Sequence, residues 1–108
     1  MRHAKVLFKD EEVGILSQHD DGSFSFRYHD TWVKDMDKQS ISLTLPKSGQ
    51  EFHSEFLFPF FYHILPEGSN KAVVCKLNRI DPEDHFGLLM TTAKNDSIGA
   101  VRIIKTEK

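Results

Sequence analysis

Through the first part of the chain the apolar residues recur at every second position, the period of a strand buried on one face only. Residues 4–9 and 13–18 read as two such strands, joined as a hairpin by the polar connection Asp10, Glu11 and Glu12. His19, Asp20, Asp21 and Gly22 follow as a tight turn, because Asp and Gly tolerate the positive φ that short turns require. In SFSFRY, residues Phe24, Phe26 and Tyr28 share one face while Ser23, Ser25 and Arg27 share the other. SISLTL repeats the pattern with Ile41, Leu43 and Leu45 inward. The stretch between these strands, HDTWVKDMDKQ, is polar and irregular, and its Trp32 is expected to lie as a lid on the core.

After Pro46 and Gly49 the spacing becomes helical. A short helix capped by Ser54 or Glu55 is predicted to run through Ile64, with Pro59 in a first turn whose N–H groups have no intrahelical partners, and with Pro66 and Gly68 ending it. Phe56, Phe60, Phe61, Ile64 and Leu65 would anchor that helix in the core. Val73, Val74, Leu77 and Ile80 fall on one face of a second helix, where Cys75 reads as a packing residue. Asp81, Pro82, Glu83 and Asp84 announce a third: an Asp cap, a proline at the first helical position, and acids near the positive end of the dipole. Its inward stripe is Phe86, Leu89, Met90 and Ala93, and Lys94 and Asn95 suit its end. GAVRIIK then returns as a closing strand. The expected fold class is α+β: an antiparallel sheet of about five strands with about three helices packed against it, one domain over residues 1–108.

Charge and composition narrow the function classes. A chain of 108 residues holds one core and little else, and its nine Phe make that core aromatic. Fourteen basic against sixteen acidic side chains, with no run of Lys or Arg, argue against direct nucleic-acid binding. The longest apolar stretch, Phe56 to Leu65, includes Pro59 and His63 and is well short of the roughly twenty residues that cross a bilayer, so no membrane role is expected. A lone Cys75 cannot form an internal disulfide, and the start of the chain, with Arg2, His3 and Lys5, lacks the apolar run of a signal peptide; both fit a cytoplasmic protein.

Candidate chemistry is sparse. His3, His19, His29, His53, His63 and His85 are scattered, and none pairs with another His or Cys at zinc-site spacing, so neither a metal nor a cofactor is expected. DHFG at 84–87 looks like the kinase metal-binding triplet, but His85 separates Asp84 from Phe86 and the segment opens a helix. The glycines are isolated, so no phosphate-cradling loop exists. The chain is therefore not expected to be an enzyme. A small hydrolase using Cys75 or clustered histidines is the enzyme-class alternative, against which the apolar helix around Cys75 argues.

Three segments in order, SISLTLP at 40–46, FPFFYHILPEG at 58–68 and NDSIGAV at 95–101, resemble landmarks of the N-terminal subdomain of HipA-family serine/threonine kinases, toxins of bacterial toxin–antitoxin systems. In a full HipA-like toxin the kinase core continues after the strand that begins at Gly99, whereas this sequence stops at Lys108. The resemblance is thus to the HipS proteins, small members of tripartite HipBST systems that stand beside a shortened kinase, HipT, and a helix-turn-helix DNA-binding protein, HipB. It implies an antitoxin that binds a HipT-like kinase in trans and blocks it, with a HipB-like protein in the same complex. The implied contact is the turn Pro66, Glu67, Gly68, Ser69, Asn70 and Lys71, which the hydrophobic run before it would hold in place. Some relatives carry a bulky aromatic where Ser69 stands, so that here either Glu67, Asn70 and Lys71 would make polar contacts or another face would hold the kinase inactive. The alternative is a non-inhibitory assembly module that links a split kinase to its DNA-binding partner.

Overall fold

The computed structural model describes residues 2–9, 11–42, 45–47, 49–65, 68–92 and 101–105. Five strands, β1 (Arg2–Phe8), β2 (Glu11–Gln18), β3 (Phe24–Tyr28), β4 (Glu51–Ser54) and β5 (Val101–Lys105), form one antiparallel sheet in the order β4-β3-β2-β1-β5. Four helices complete the described residues: α1 (Asp30–Lys34), α2 (Pro59–Tyr62), α3 (Gly68–Asn78) and α4 (His85–Thr92). The α+β architecture expected from the sequence is the one observed.

The period-two pattern lands as it should. Ala4, Val6, Leu16, Phe26, Tyr28 and Ile103 are fully buried on one face of the sheet, against Phe61, Phe86, Leu88 and Leu89 of the helices. The other face carries the exposed His3, Lys5, Arg27, Glu51 and His53. Residues 19–23 make the expected turn: the Gly22 amide donates to the His19 carbonyl at 2.9 Å, Gly22 takes φ +91°, and the Asp21 carboxylate accepts from the Ser23 amide at 2.9 Å. Between Val6 and Leu7 the register of β1 against β2 slips at a bulge, and there Gly14 faces Tyr28 so closely that a Cβ would lie 2.1 Å from the Arg27 carbonyl oxygen. Only glycine fits.

Several local expectations are corrected. The fourth sheet strand is Glu51–Ser54, not SISLTL; in that earlier segment Ser42 and Leu45 form an isolated bridge, and Leu43 lies outside the described residues. Tertiary bonding decides this. The buried Tyr28 hydroxyl donates to the Leu45 carbonyl and accepts from the Ile41 amide at 3.1 Å, so one side chain ties the segment at two points, beside the bond from the Lys47 amide to Ser40 Oγ at 2.7 Å. Burial pushes the Tyr28 phenol above its ordinary value, as expected for a hydroxyl kept neutral. HDTWVKDMDKQ is not wholly irregular, since Asp30–Lys34 is helical and buries Trp32, whose indole N–H donates to the Gln39 carbonyl at 3.0 Å. The helix expected from Ser54 or Glu55 begins only at Pro59, which takes the first position, with Phe58 as its cap. The third helix starts later too. Asp81 closes a turn through the Glu83 amide at 2.8 Å, and Asp84 is the residue whose carboxylate accepts from the Gly87 amide at 3.1 Å to cap α4. Ala93, Lys94 and Asn95 lie outside the described residues, whereas Val101–Lys105 forms the closing strand beside β1.

Candidate partner-binding surface

The helix α3 presents an apolar surface that its sequence pattern hides. Its inward side is Cys75, 5% exposed, with Val74 packed against the core. Val73 and Leu77, both expected inward, are 54% and 76% exposed. The helix end explains why Ile80 is not part of that outward row. Arg79 takes φ +55° and the Ile80 amide donates back to the Cys75 carbonyl at 2.9 Å, a Schellman-type stop. Ile80, read as the last member of the helical stripe, therefore reaches the core from beyond the helix, and the inward stripe is centred on Cys75.

Gly68, with φ +58° and no heavy atom near an added Cβ, turns the chain into α3. Ser69 and Asn70 are exposed and Lys71 half-buried in the first turn. Residues four apart on a helix lie one above the other, so Ser69, Val73 and Leu77 form a single outward row that starts in the predicted turn. Pro66 and Glu67 lie outside the described residues. Of the expected contact residues, Gly68, Ser69, Asn70 and Lys71 thus adjoin an exposed apolar row that the sequence pattern assigns to the core, because the spacing of Val73 and Leu77 alone does not tell an outward row from an inward one.

The hydrophobic run before the turn behaves only partly as expected. Phe61 and Leu65 are buried, and Phe60 and Ile64 are packed against the core. Phe56, expected as an anchor, precedes α2 and is 75% exposed.

Elsewhere the polar chemistry is structural. His3 Nδ1 lies 2.7 Å from Ser17 Oγ and His19 Nε2 lies 3.0 Å from Ser25 Oγ, but both serines are nearly closed to solvent, at 6% and 7% exposed. Cys75 is buried as a packing residue. No group of three or more His, Cys, Asp or Glu that could hold a metal occurs among the described residues. Asp84, the acid of the DHFG quartet, receives Arg2 Nη2 at 2.6 Å and Nη1 at 3.2 Å, and the guanidinium holds its carboxyl below the ordinary carboxylate value. Among the described residues no helix is long and apolar enough to cross a membrane.

The sequence pattern of the HipA N-terminal domain matches residues 4–104. The chain belongs to this family. A protein of Haemophilus influenzae with no assigned function is 35% identical over 103 residues, covering 95% of this chain and 92% of its own length. A putative kinase of Sinorhizobium fredii, Y4mE, is 29% identical over all 108 residues, which make up 26% of that kinase. Among solved structures, one described as the N-terminal domain of HipA toxin has a TM-score of 0.74 at 32% identity and covers 100% of this chain and 95% of its own. A chain of the Shewanella oneidensis complex of HipA, HipB and operator DNA has a TM-score of 0.80 at 20% identity, over 97% of this chain and 24% of that one, and shares the fold. The matched region thus makes up 92% of the Haemophilus protein and 26% of the Sinorhizobium kinase.

Proposed function

We propose that this HipA N-terminal domain is an antitoxin that binds a HipA-like serine/threonine kinase, of the HipT type, in trans and inhibits its kinase activity. The observation that carries the reading is the outward row of α3. Two apolar side chains, Val73 and Leu77, stand in solvent directly after the exposed polar residues Ser69 and Asn70, the layout of an interface with an apolar centre and a polar margin. Gly68, at φ +58°, with Ser69, Asn70 and Lys71 forms its near end, and the partner contact we assign to residues 66–71 adjoins the apolar row there. Membership of a family whose relatives include a domain of a HipA toxin supports the kinase as partner and a toxin–antitoxin setting. The Shewanella assembly of HipA with HipB and operator DNA supports a HipB-like protein in the same complex, and the balanced charge of this chain leaves contact with nucleic acid to such a partner. The domain supplies binding rather than catalysis, acts without a cofactor, and works in the cytoplasm.

The test is phosphorylation by the companion kinase with ATP, with and without the purified chain, beside a direct binding assay. Inhibition that is weakened when residues 67–71 are replaced by a neutral linker of equal length supports the reading; binding with full kinase activity overturns it. That second outcome has its own support. The Sinorhizobium kinase carries a related segment as 26% of its length, which favours a module that completes a split kinase without silencing it and ties it to a HipB-type partner.

A further inference from the structure

A cleft of about 240 Å³ opens beside α2, lined among others by Gln18, Phe24, Glu55, Phe56, Tyr62 and Glu83. It is smaller than the roughly 300–1,000 Å³ of clefts that enclose small-molecule ligands, and suits one side chain. Its walls are of two kinds. Phe56 and Tyr62, at 75% and 47% exposed, bring two solvent-accessible aromatic rings, with His85 perpendicular to Tyr62 at 5.4 Å between ring centres. Glu55 and Glu83 offer carboxylates that have no ion-pair or hydrogen-bond partner among the described residues. By contrast Glu11, Glu12, Asp30, Glu51 and Asp84 each lie within 4.0 Å of a Lys or Arg.

The adjoining wall shows the same chemistry already filled. The Arg2 guanidinium is held by the Asp84 carboxylate, donates from Nε to the Gln18 amide oxygen at 2.9 Å, and stands 5.0 Å from the ring centre of Phe86. Gln18 is shared with the cleft, and Phe24, also shared, stacks on Phe86 at 6.4 Å. A carboxylate and an aromatic ring satisfy a guanidinium there, and the cleft repeats both groups with no Lys or Arg among its described lining residues.

We propose that this cleft receives an arginine side chain presented by a protein partner, its guanidinium between Glu55 and Glu83 and its plane against Phe56 or Tyr62. Charge complementarity selects a cation, and the paired aromatic and carboxylate groups select the planar, forked guanidinium over a lysine ammonium. The surface is separate in sequence from residues 66–71 and does not depend on kinase inhibition.

The test is an NMR titration of the isotope-labelled chain with the capped tripeptide Gly-Arg-Gly, in parallel with its lysine and citrulline counterparts. Saturable shifts at millimolar arginine peptide, confined to the amides of residues 55–57, 62 and 83–85, are expected. The citrulline peptide, which keeps the shape and loses the charge, should give none, and the lysine peptide should bind at least threefold more weakly. In the double variant Glu55→Gln with Glu83→Gln, both exposed positions, affinity should fall at least tenfold while the remaining spectrum is unchanged. Absence of a saturable shift with the arginine peptide, or equal binding of citrulline or lysine, overturns the proposal. A kinase that is not inhibited leaves this titration unaffected, so the two readings fail independently.

Discussion

Arg2, in the first strand, and Asp84, the cap of α4, are joined by an ion pair at 2.6 Å across 82 positions of sequence. One carboxylate thus closes two ends of the fold, because its Oδ1 also accepts from the Gly87 amide. The two roles separate by substitution. Asp84→Asn keeps a good capping side chain and removes the charge, and is expected to cost about 0.5–1 kcal/mol for a half-exposed pair. Asp84→Ala removes cap and pair together and is expected to cost about 1–2 kcal/mol. Urea unfolding of the three proteins measures both steps, and equal stability of the two variants would remove the capping role.

The same pair sets a pH dependence with a definite sign. The Arg2 guanidinium, chiefly through its hydrogen bonds, holds the folded Asp84 carboxyl below its unfolded value. Its contribution is therefore complete above the ordinary Asp value of 3.8 and is lost as pH falls through the lower folded value. The difference in unfolding free energy between the parent and Asp84→Asn should be constant at neutral pH and shrink towards zero in strong acid. A difference that grows on acidification would contradict the pairing.

Tyr28→Phe removes a hydroxyl that serves two backbone groups, the Leu45 carbonyl and the Ile41 amide. Buried groups left without partners cost about 1–3 kcal/mol, so a loss in that range is expected. The Ile41 amide should also exchange with solvent much faster, measured by hydrogen exchange. Unchanged protection at Ile41 would mean that the segment is held by other contacts.

Gly14→Ala places a methyl group 2.1 Å from the Arg27 backbone oxygen, which cannot yield as a side-chain tip would. A loss of about 3 kcal/mol or more is expected, at the upper end of overpacking costs. Gly22→Ala meets no neighbour and bears only the strain of φ +91°, about 1–2 kcal/mol. Thermal unfolding should rank the two in that order.

What was legible in the sequence is what depends on local pattern. The strands at 2–8, 11–18, 24–28 and 101–105 show period-two alternation or strong apolar runs, and the turn at 19–22 contains the residues its backbone demands. What failed depends on distant partners. Residues 40–45 alternate as well as any strand, yet Ser42 and Leu45 form only an isolated bridge, with Ile41 and Leu45 bonded to Tyr28, while Glu51–Ser54, too short and polar to stand out, completes the sheet through pairing with β3. The candidate surface was missed for a related reason. Val73 and Leu77 fit an inward stripe by spacing, but α3 packs its Cys75 and Val74 side on the core, and the left-handed Arg79 lets Ile80 reach the core from beyond the helix, off the stripe it was assigned to.

The exposure of Val73 and Leu77 makes α3 the decisive place for a binding test. Substituting Val73→Ser with Leu77→Ser removes apolar surface that is already in water, so the stability of the isolated chain should stay within about 0.5 kcal/mol, as for surface positions without special contacts. If the row is the centre of the interface, the same change leaves polar groups facing a partner's apolar pocket, and affinity for the kinase should fall at least tenfold, about 1.4 kcal/mol. Calorimetry on the kinase complex and urea unfolding of the free chain give the two numbers on the same variant. Lost affinity with preserved stability would assign the row to partner binding. Preserved affinity would place the kinase contact elsewhere on the domain, and lost stability would return Val73 and Leu77 to a packing role.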